Sequence, residues 1–191
     1  DVIITGKAAH AATNPRDGIS AIKVAAETIR GFSFGRIDDQ TTANIGVISG
    51  GVATNIVAEQ VSFKGEIRSL DRDRALSLTK DCAERIDQTA SRYGALAEVS
   101  TTVDYYGYTI SRDAHVVKLA EKALSMSGKD AVYRWTMGGS DANVFNSMGL
   151  ESIVLGMGAK DVHSTAESLP ISELVAAGKL ARCIILAELG E

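Results

Sequence analysis

The chain has 191 residues, of which 45% are hydrophobic, and its 20 Lys and Arg against 24 Asp and Glu leave a net charge of −4. This length accommodates one large domain or two small ones, with enough apolar residues for a real core. There is no basic cluster, so nucleic acid and anionic membranes are not expected as partners, and no apolar run approaches the roughly 20 residues that a membrane span needs.

The chain starts at Asp1, without a methionine, and enters a strand-like run at Val2. We therefore expect a fragment whose natural N-terminal part is missing. The two cysteines, Cys82 and Cys183, are isolated from each other and each lies in a helical pattern, which predicts buried thiols of a cytoplasmic protein.

The residues up to Tyr105 predict four strands and two helices. Strands are expected over 2–11, 42–49, 59–70 and 96–105, and helices over 19–32 and 71–93, the second helix capped by Asp71 or Asp73. In the third strand, apolar residues alternate with polar ones, which puts Arg68 on a face that no helix covers. The order β-α-β-β-α-β is the ferredoxin-like arrangement, in which two helices cover one face of a four-stranded antiparallel sheet.

The pattern changes over residues 107–111, where we expect a domain boundary. Beyond it the sequence predicts, in order, a helix over 113–127, a strand over 131–136, a short helix that opens at GGSDA, a strand over 150–156 and a last helix after Pro170. The last helix is apolar on more than one side and is expected to be largely buried. Helices and strands that alternate in this way are typical of an α/β domain, but two strands are too few for a sheet covered on both faces. We therefore expect part of a domain.

Four polar residues lie at the ends of predicted elements or on the uncovered face of the sheet, and these are His10, Asn55, Arg68 and His163. Asn55 ends the glycine-rich bend GGVATN, and the planar guanidinium of Arg68 suits a carboxylate, so together they are predicted to hold an anionic group. The alternative is that Asn55 serves the turn and that Arg68 is a solvated residue of the sheet.

Two glycines, Gly156 and Gly158, let the chain turn sharply and present His163, which taken alone is also compatible with a surface loop histidine. Glu167 either positions this loop through a hydrogen bond or is a surface charge. Asp141 either caps its helix or orients the neighbouring backbone at the site, and the cap is the favoured role. Ser140 is the other candidate for the cap. His115 is interpreted as structural.

The sequence contains no GxSxG nucleophile motif, phosphate loop or dinucleotide fingerprint. Metal catalysis remains, but zinc needs at least three protein ligands. The three histidines are widely spaced, and neither HExxH nor paired cysteines occur. The chain by itself is therefore not expected to supply a full zinc site.

Several segments resemble, in the order of the family, the zinc-dependent M20 peptidases and most closely their peptidase T-like branch. They are GKAAHA, AIKVAAETI, TTANIGVISGGVATNIVAE, FKGEIRSLD, GGSDANVF and MGAKDVHSTAE. This resemblance covers essentially the whole chain. It implies an α+β ferredoxin-like lid over residues 1–107, which also mediates dimerisation, followed over 108–191 by the C-terminal portion of an α/β zinc-peptidase catalytic domain that holds two zinc ions.

The resemblance also implies a role for each candidate residue. His10 matches the histidine that reaches across the dimer and polarises the scissile carbonyl, and Asn55 matches a substrate-binding asparagine. Arg68 matches the arginine that grips the substrate carboxylate, and His163 matches the last metal ligand. The resemblance implies metal-assisted hydrolysis in the intact enzyme, where two zinc ions would make a water nucleophilic and a glutamate would take its proton.

The other metal ligands of the family, and its general base, belong to a catalytic half that precedes the lid and is absent from this chain. The chain alone is therefore expected neither to hold the dinuclear cluster nor to turn over substrate. Arg68 argues for a short substrate with a free carboxylate, and a tripeptide, a dipeptide and an N-acyl amino acid all remain open. The alternative function is a non-catalytic ferredoxin-like dimerisation or ligand-binding module, although such a module has no need for the turn at His163.

Overall fold

The computed structural model describes residues 1–190, which divide into two compact units. The first is Asp1–Gly107, and the second begins at Tyr108.

The first unit contains one antiparallel sheet of five strands in the order β2-β3-β4-β1-β5. The strands are β1 (Val2–Thr5), β2 (Gly35–Asp38), β3 (Thr41–Gly50), β4 (Gln60–Ser69) and β5 (Leu96–Val99). Without β2, the order β3-β4-β1-β5 is that of a ferredoxin-like β-α-β-β-α-β fold, so the predicted topology is confirmed. Strands β1 and β5 are shorter than predicted, because backbone pairing in the regular ladder stops at Thr5 and Val99.

Strand β2 is missing from the sequence prediction, which assigned no element between the helix over 19–32 and the strand over 42–49. Gly35 has a φ of 76°, a conformation that glycine adopts readily, and the chain then runs antiparallel to β3. The two strands are joined by a tight turn in which the backbone N–H of Gln40 donates to the Asp38 carboxylate (2.9 Å). This turn contains no glycine, so it lacks the usual hairpin signal.

Helices α1 (Ala21–Arg30) and α2 (Arg72–Arg92) lie on one face of this sheet. Ser20 caps α1, and Asp71 caps α2 by accepting hydrogen bonds from the backbone N–H groups of Asp73 (2.9 Å) and Arg74 (3.1 Å). The buried core between helices and sheet consists of Val2, Ile4, Ala21, Val24, Ala25, Val61, Phe63, Ile86, Ala90 and Ala95. The opposite face carries the alternate polar residues of β4.

Gly6 follows β1 and lies against the backbone of Ile19, just before α1. A larger residue at this position is expected to destabilise the fold. A Cβ atom at Gly6 would collide with the carbonyl oxygen of Ile19, whereas a Cβ at Gly46 in β3 would have Asn44 Nδ2 as its nearest neighbour, at 3.6 Å. We expect Gly6→Ala to lower the free energy of unfolding by about 1–3 kcal/mol, as overpacked sites do, and Gly46→Ala to be neutral or slightly stabilising. Urea unfolding followed by circular dichroism measures both, and equal effects would contradict this account.

The second unit contains three helices in its described part, α3 (His115–Met126), α4 (Asp141–Ser147) and α5 (Ile171–Leu189). Residues 108–190 form no strand, so the strands predicted over 131–136 and 150–156 are wrong for this chain. A strand is defined by hydrogen bonds to a neighbouring strand, and this stretch brings no such neighbour to either segment. Instead, Ser152 is held by Asn146 of α4, whose Nδ2 donates to Ser152 O (2.8 Å) and whose Oδ1 accepts from Ser152 N (3.1 Å).

Helix α5 is much more exposed than the sequence predicts. Only Leu180 and Ala187 are buried in it, and they pack with Ala123 of α3. Its more exposed apolar side chains are between 51% and 80% accessible, and they are Ile171, Leu174, Val175, Ile185 and Leu189. The prediction of a largely buried helix is therefore wrong within this chain, because one face packs on α3 and the described residues leave the other apolar faces uncovered.

Several smaller predictions are also decided here. Ser140, and not the favoured Asp141, is the N-cap of α4, and its backbone N–H donates to the side chain of Asn143 (2.9 Å). Both cysteines are free and only partly buried, in contrast to the predicted buried thiols. Burial nonetheless raises the pKa of the Cys82 thiol, which makes it a poor nucleophile.

Candidate functional site

His10 lies in a tight turn that its own side chain closes. Its Nδ1 accepts hydrogen bonds from the backbone N–H groups of Ala12 (3.2 Å) and Thr13 (3.1 Å). Asn14 Oδ1 accepts from the backbone N–H of His10 (3.2 Å), and Asn14 Nδ2 donates to Asp17 (3.1 Å). Because Nδ1 is an acceptor, the neutral imidazole carries its proton on Nε2. The exposed ring therefore offers an N–H donor of defined orientation to a ligand.

Asn55 is brought next to His10 by backbone pairing beyond the end of the β1–β4 ladder. Ala11 N donates to Asn55 O (2.9 Å), Val57 N donates to Ala9 O (2.9 Å), and His10 forms an isolated bridge with Ile56. The Asn55 side chain is exposed and makes no hydrogen bond within residues 1–190. His10 and Asn55 thus form one polar group at this end of the first unit.

Arg68 lies at the other end of the same sheet. It pairs with Thr42, whereas Gln60, at the start of β4, pairs with Thr5. Arg68 follows Gln60 by eight positions along the strand, a distance of about 26 Å, and Asn55 lies beyond Gln60. The prediction that Asn55 and Arg68 hold one anionic group together is therefore wrong for a single protomer, since no small ligand reaches both.

The guanidinium of Arg68 is paired with a carboxylate of its own strand. Its Nε donates to Glu66 Oε1 and its Nη2 donates to Glu66 Oε2, both at 2.9 Å. Residues two apart in a strand share a face, so both side chains lie on the side of the sheet that the helices leave uncovered. The hydrogen bond to Glu66 raises the pKa of the Arg68 guanidinium, with a smaller contribution from Tyr105.

His163 lies in the second unit, in a loop between Lys160 and Ser168, whose backbones exchange two hydrogen bonds (2.9 and 3.1 Å). Its φ of 66° is in the left-handed region, which is uncommon for residues other than glycine. The Glu167 carboxylate accepts a hydrogen bond from the backbone N–H of His163 (3.0 Å), so Glu167 does position this loop. The imidazole is exposed and makes no hydrogen bond within residues 1–190.

No group of three or more His, Cys, Asp and Glu side chains in the described part of the chain is arranged to share a metal ion. The chemistry of His163 suits one zinc ligand, but these residues do not supply the three that zinc requires. Separately, none of the helices between residues 1 and 190 is both long and apolar enough to cross a bilayer.

Two residues near the candidate sites were not singled out by the sequence. Asn14 orients the His10 turn, and the pattern His-x-x-x-Asn before a proline is a usable signal for such a side-chain-capped turn. Glu66 pairs with Arg68, and its i, i+2 spacing in a predicted strand already puts the two on one face.

His115, interpreted as structural, makes an exposed ion pair with Glu188 (3.1 Å).

Comparison with known proteins gives consistent results. A sequence profile described as the peptidase dimerisation domain of M20 proteins matches residues 1–94. A tripeptidase structure from Staphylococcus aureus superimposes on 98% of this chain with 38% identity and a TM-score of 0.86, and the aminopeptidase PepT from Bacillus cereus superimposes on 100% with 37% identity and a TM-score of 0.81. The Bacillus subtilis protein YqjE is 37% identical over 182 residues, which are 95% of this chain.

The chain spans about half the length of these proteins, namely 50% of the tripeptidase, 51% of PepT and 49% of YqjE.

Proposed function

We propose that this chain is part of a dinuclear zinc peptidase that hydrolyses short peptides with a free carboxylate. The premise is that the chain belongs to the M20 peptidase family and that its residues 1–94 are the peptidase dimerisation domain. Residues 1–107 form the lid, through which two copies make a homodimer. The chain from residue 108 onward belongs to the catalytic domain, which a longer protein completes. A cytoplasmic location stays a prediction.

The orientation of the His10 ring is the observation that carries this proposal. Two backbone N–H groups occupy Nδ1, so the neutral ring has only its Nε2–H left to donate. Such a preoriented donor is what an amide carbonyl requires as negative charge develops on its oxygen during hydrolysis. In the proposed function, His10 is the oxyanion donor.

The separation of the polar groups supports action across a dimer. His10 and Asn55 are at one end of the sheet and Arg68 is at the other, about 26 Å or more away. One short peptide contacts all three only if His10 and Asn55 come from one protomer and Arg68 from its partner. A symmetric dimer repeats that arrangement twice, because both subunits use the same surfaces. The dimerisation domain thus completes the site as well as joining the subunits.

His163 supplies one metal ligand in this proposal. A left-handed histidine is costly, and such residues persist where the surrounding structure holds them, often at functional sites. The hydrogen bond from its backbone to Glu167 provides that support. The zinc ions, when bound, provide Lewis-acid activation of the carbonyl and of the attacking water. The remaining ligands and the general base come from parts of the protein outside this chain.

The exposed apolar faces of the second unit fit the same proposal. Contiguous apolar surface of this kind normally marks a region that another part of a protein covers. Besides α5, it includes a groove lined by Val116, Leu119, Phe145, Ile153 and Ile184. The part of the longer protein that completes the catalytic domain packs here.

The full-length protein, purified with Zn²⁺, tests the proposal directly. It is incubated with triglycine, diglycine and N-acetylglycine, and the products are identified by mass spectrometry. Hydrolysis of at least one substrate, lost on chelation and restored by Zn²⁺, is the expected result. Full metal loading without hydrolysis of any of them would contradict the proposed function and favour a non-catalytic module.

Arg68 is expected to determine the preference for a free carboxylate. Charge-assisted hydrogen bonds are worth about 1.5–3 kcal/mol, so Arg68→Gln in the full-length protein should raise KM for triglycine about 10- to 100-fold. KM for triglycine amide, which has no carboxylate, should stay within about twofold of its wild-type value. Steady-state kinetics on the two substrates measure this. An equal loss with both would show that Arg68 acts on folding or on another part of the substrate.

A further inference from the structure

The pairing of Glu66 with Arg68 uses the edge of the guanidinium best suited to a carboxylate. Nε and Nη2 each donate to a different oxygen of Glu66 at 2.9 Å, which is the bidentate fork geometry. A substrate carboxylate that uses the same edge needs the same two N–H groups. Glu66 is therefore a carboxylate of the chain itself in the position that the substrate carboxylate would take.

The pair is accessible and so can be exchanged. The side chain of Arg68 is 38% exposed and that of Glu66 is 54% exposed. Water and salt screen ion pairs at such a surface, so each contributes little to stability and is readily broken. Both residues lie on the uncovered face of the sheet, where no buried contact of the core depends on them. Displacing Glu66 thus leaves the fold intact.

We propose that Glu66 is an internal competitor of the substrate, a carboxylate that occupies Arg68 until a substrate carboxylate displaces it. This inference rests on the proposed function, because it assumes that Arg68 binds the substrate carboxylate. A ligand group that offers two anionic oxygens replaces both hydrogen bonds of Glu66, whereas an amide or a single hydroxyl replaces at most one and carries no charge. Glu66 therefore weakens the binding of the substrate carboxylate by the strength of its own pairing, whereas a neutral chain end does not displace it and binds without the guanidinium of Arg68.

The test compares Glu66→Gln with wild type in the full-length protein, with triglycine and triglycine amide as substrates. Gln has the size of Glu but cannot offer two anionic oxygens. Exposed ion pairs are weak, so KM for triglycine is expected to fall about twofold to fivefold, with kcat unchanged. KM for triglycine amide should not fall, since an uncharged end gains little from a guanidinium that Glu66 no longer neutralises.

Glu98→Gln is the matched control. Glu98 lies in β5, is exposed, and shares the uncovered face of the sheet, because Glu98 and Ser62 both pair with Ile3. The Glu98→Gln substitution removes the same charge but leaves the pair of Glu66 and Arg68 unchanged, so the KM values of this variant should equal those of wild type. Glu66→Asp is a second variant that keeps the charge but shortens the reach, and it should lower KM less than Glu66→Gln.

Each outcome decides between explanations. An unchanged KM for triglycine in Glu66→Gln overturns the inference. A higher KM also overturns it and would show that Glu66 holds Arg68 in place for the substrate. An equal fall in Glu98→Gln also overturns it, because the effect would then come from net charge. If Arg68→Gln leaves the KM for triglycine unchanged, the carboxylate role of Arg68 in the proposed function fails. If Arg68→Gln raises KM and Glu66→Gln has no effect, only the inference about Glu66 fails.

Discussion

The His10→Ala variant of the full-length protein is expected to lose about 100- to 1,000-fold in kcat, with little change in KM. Removal of one oxyanion donor costs about 2.7–4 kcal/mol in the transition state, and the donor is weakly used in the ground state. The donor lost is the Nε2–H of His10, and the same substitution removes the Nδ1 acceptor from the turn. Steady-state kinetics with triglycine measure the effect, and an unchanged kcat would exclude His10 from catalysis.

His115→Ala is the control for the loss of a histidine as such. His115 is exposed, and within residues 1–190 its side chain pairs with Glu188 alone (3.1 Å). Surface pairs of this kind contribute between about 0 and 1 kcal/mol to stability, so the variant should fold normally and keep its kcat. A similar loss of kcat in both variants would point to a general effect on folding, which circular dichroism and thermal unfolding would reveal.

A mixture of two inactive variants tests whether His10 acts across the dimer. His10→Ala and His163→Ala are each expected to be inactive. After subunit exchange of equal amounts, half of the dimers contain one copy of each, and one of their two sites then combines an intact His163 with an intact His10 from the partner. A symmetric dimer should therefore regain about one quarter of the wild-type activity. No recovery, despite demonstrated exchange, would show that both histidines act within one protomer.

The second large effect is expected for His163→Ala, which should lose a bound metal ion and reduce kcat by more than about 100-fold. Removing a residue that merely supports a metal ligand already costs 10- to 100-fold in metal affinity or activity, so loss of the ligand itself should cost at least the upper limit. Metal content is measured by inductively coupled plasma mass spectrometry and kcat with triglycine. Wild-type metal content in this variant would exclude His163 as a ligand.

The unusual backbone of His163 provides a matched control. At a φ of 66°, alanine keeps the steric cost of a Cβ atom, whereas glycine does not. His163→Gly should therefore be more stable than His163→Ala by about 0.5–1 kcal/mol while losing the same amount of metal. Glu167→Gln, which keeps a hydrogen-bond acceptor for the backbone of His163, should lose less metal than either. If metal loss followed stability across the three variants, a folding effect would explain it.

Much of the first unit could be predicted from the sequence because its signals are local. The alternation in β4 and the amphipathic helix after Asp71 predict the four strands and two helices of the ferredoxin-like arrangement in the correct order, whereas β2 had no such signal. The second unit was predicted less well. Its apolar segments have the composition of buried strands and a buried helix, but a strand forms only beside another strand, and residues 108–190 do not bring one there.

For the candidate residues too, some features follow from the local sequence and others depend on the fold. The sequence by itself determined the ferredoxin-like topology. It also identified His10, Asn55, Arg68 and His163 as candidates, because they stand at the ends of predicted elements or on an uncovered face. Only the tertiary structure decided that His10 lies beside Asn55, that Arg68 is at the far end of the sheet and that Glu66 occupies it. The physical reason is that periodicity and turn residues act over a few neighbours, whereas strand register and side-chain pairing depend on segments far apart in the chain.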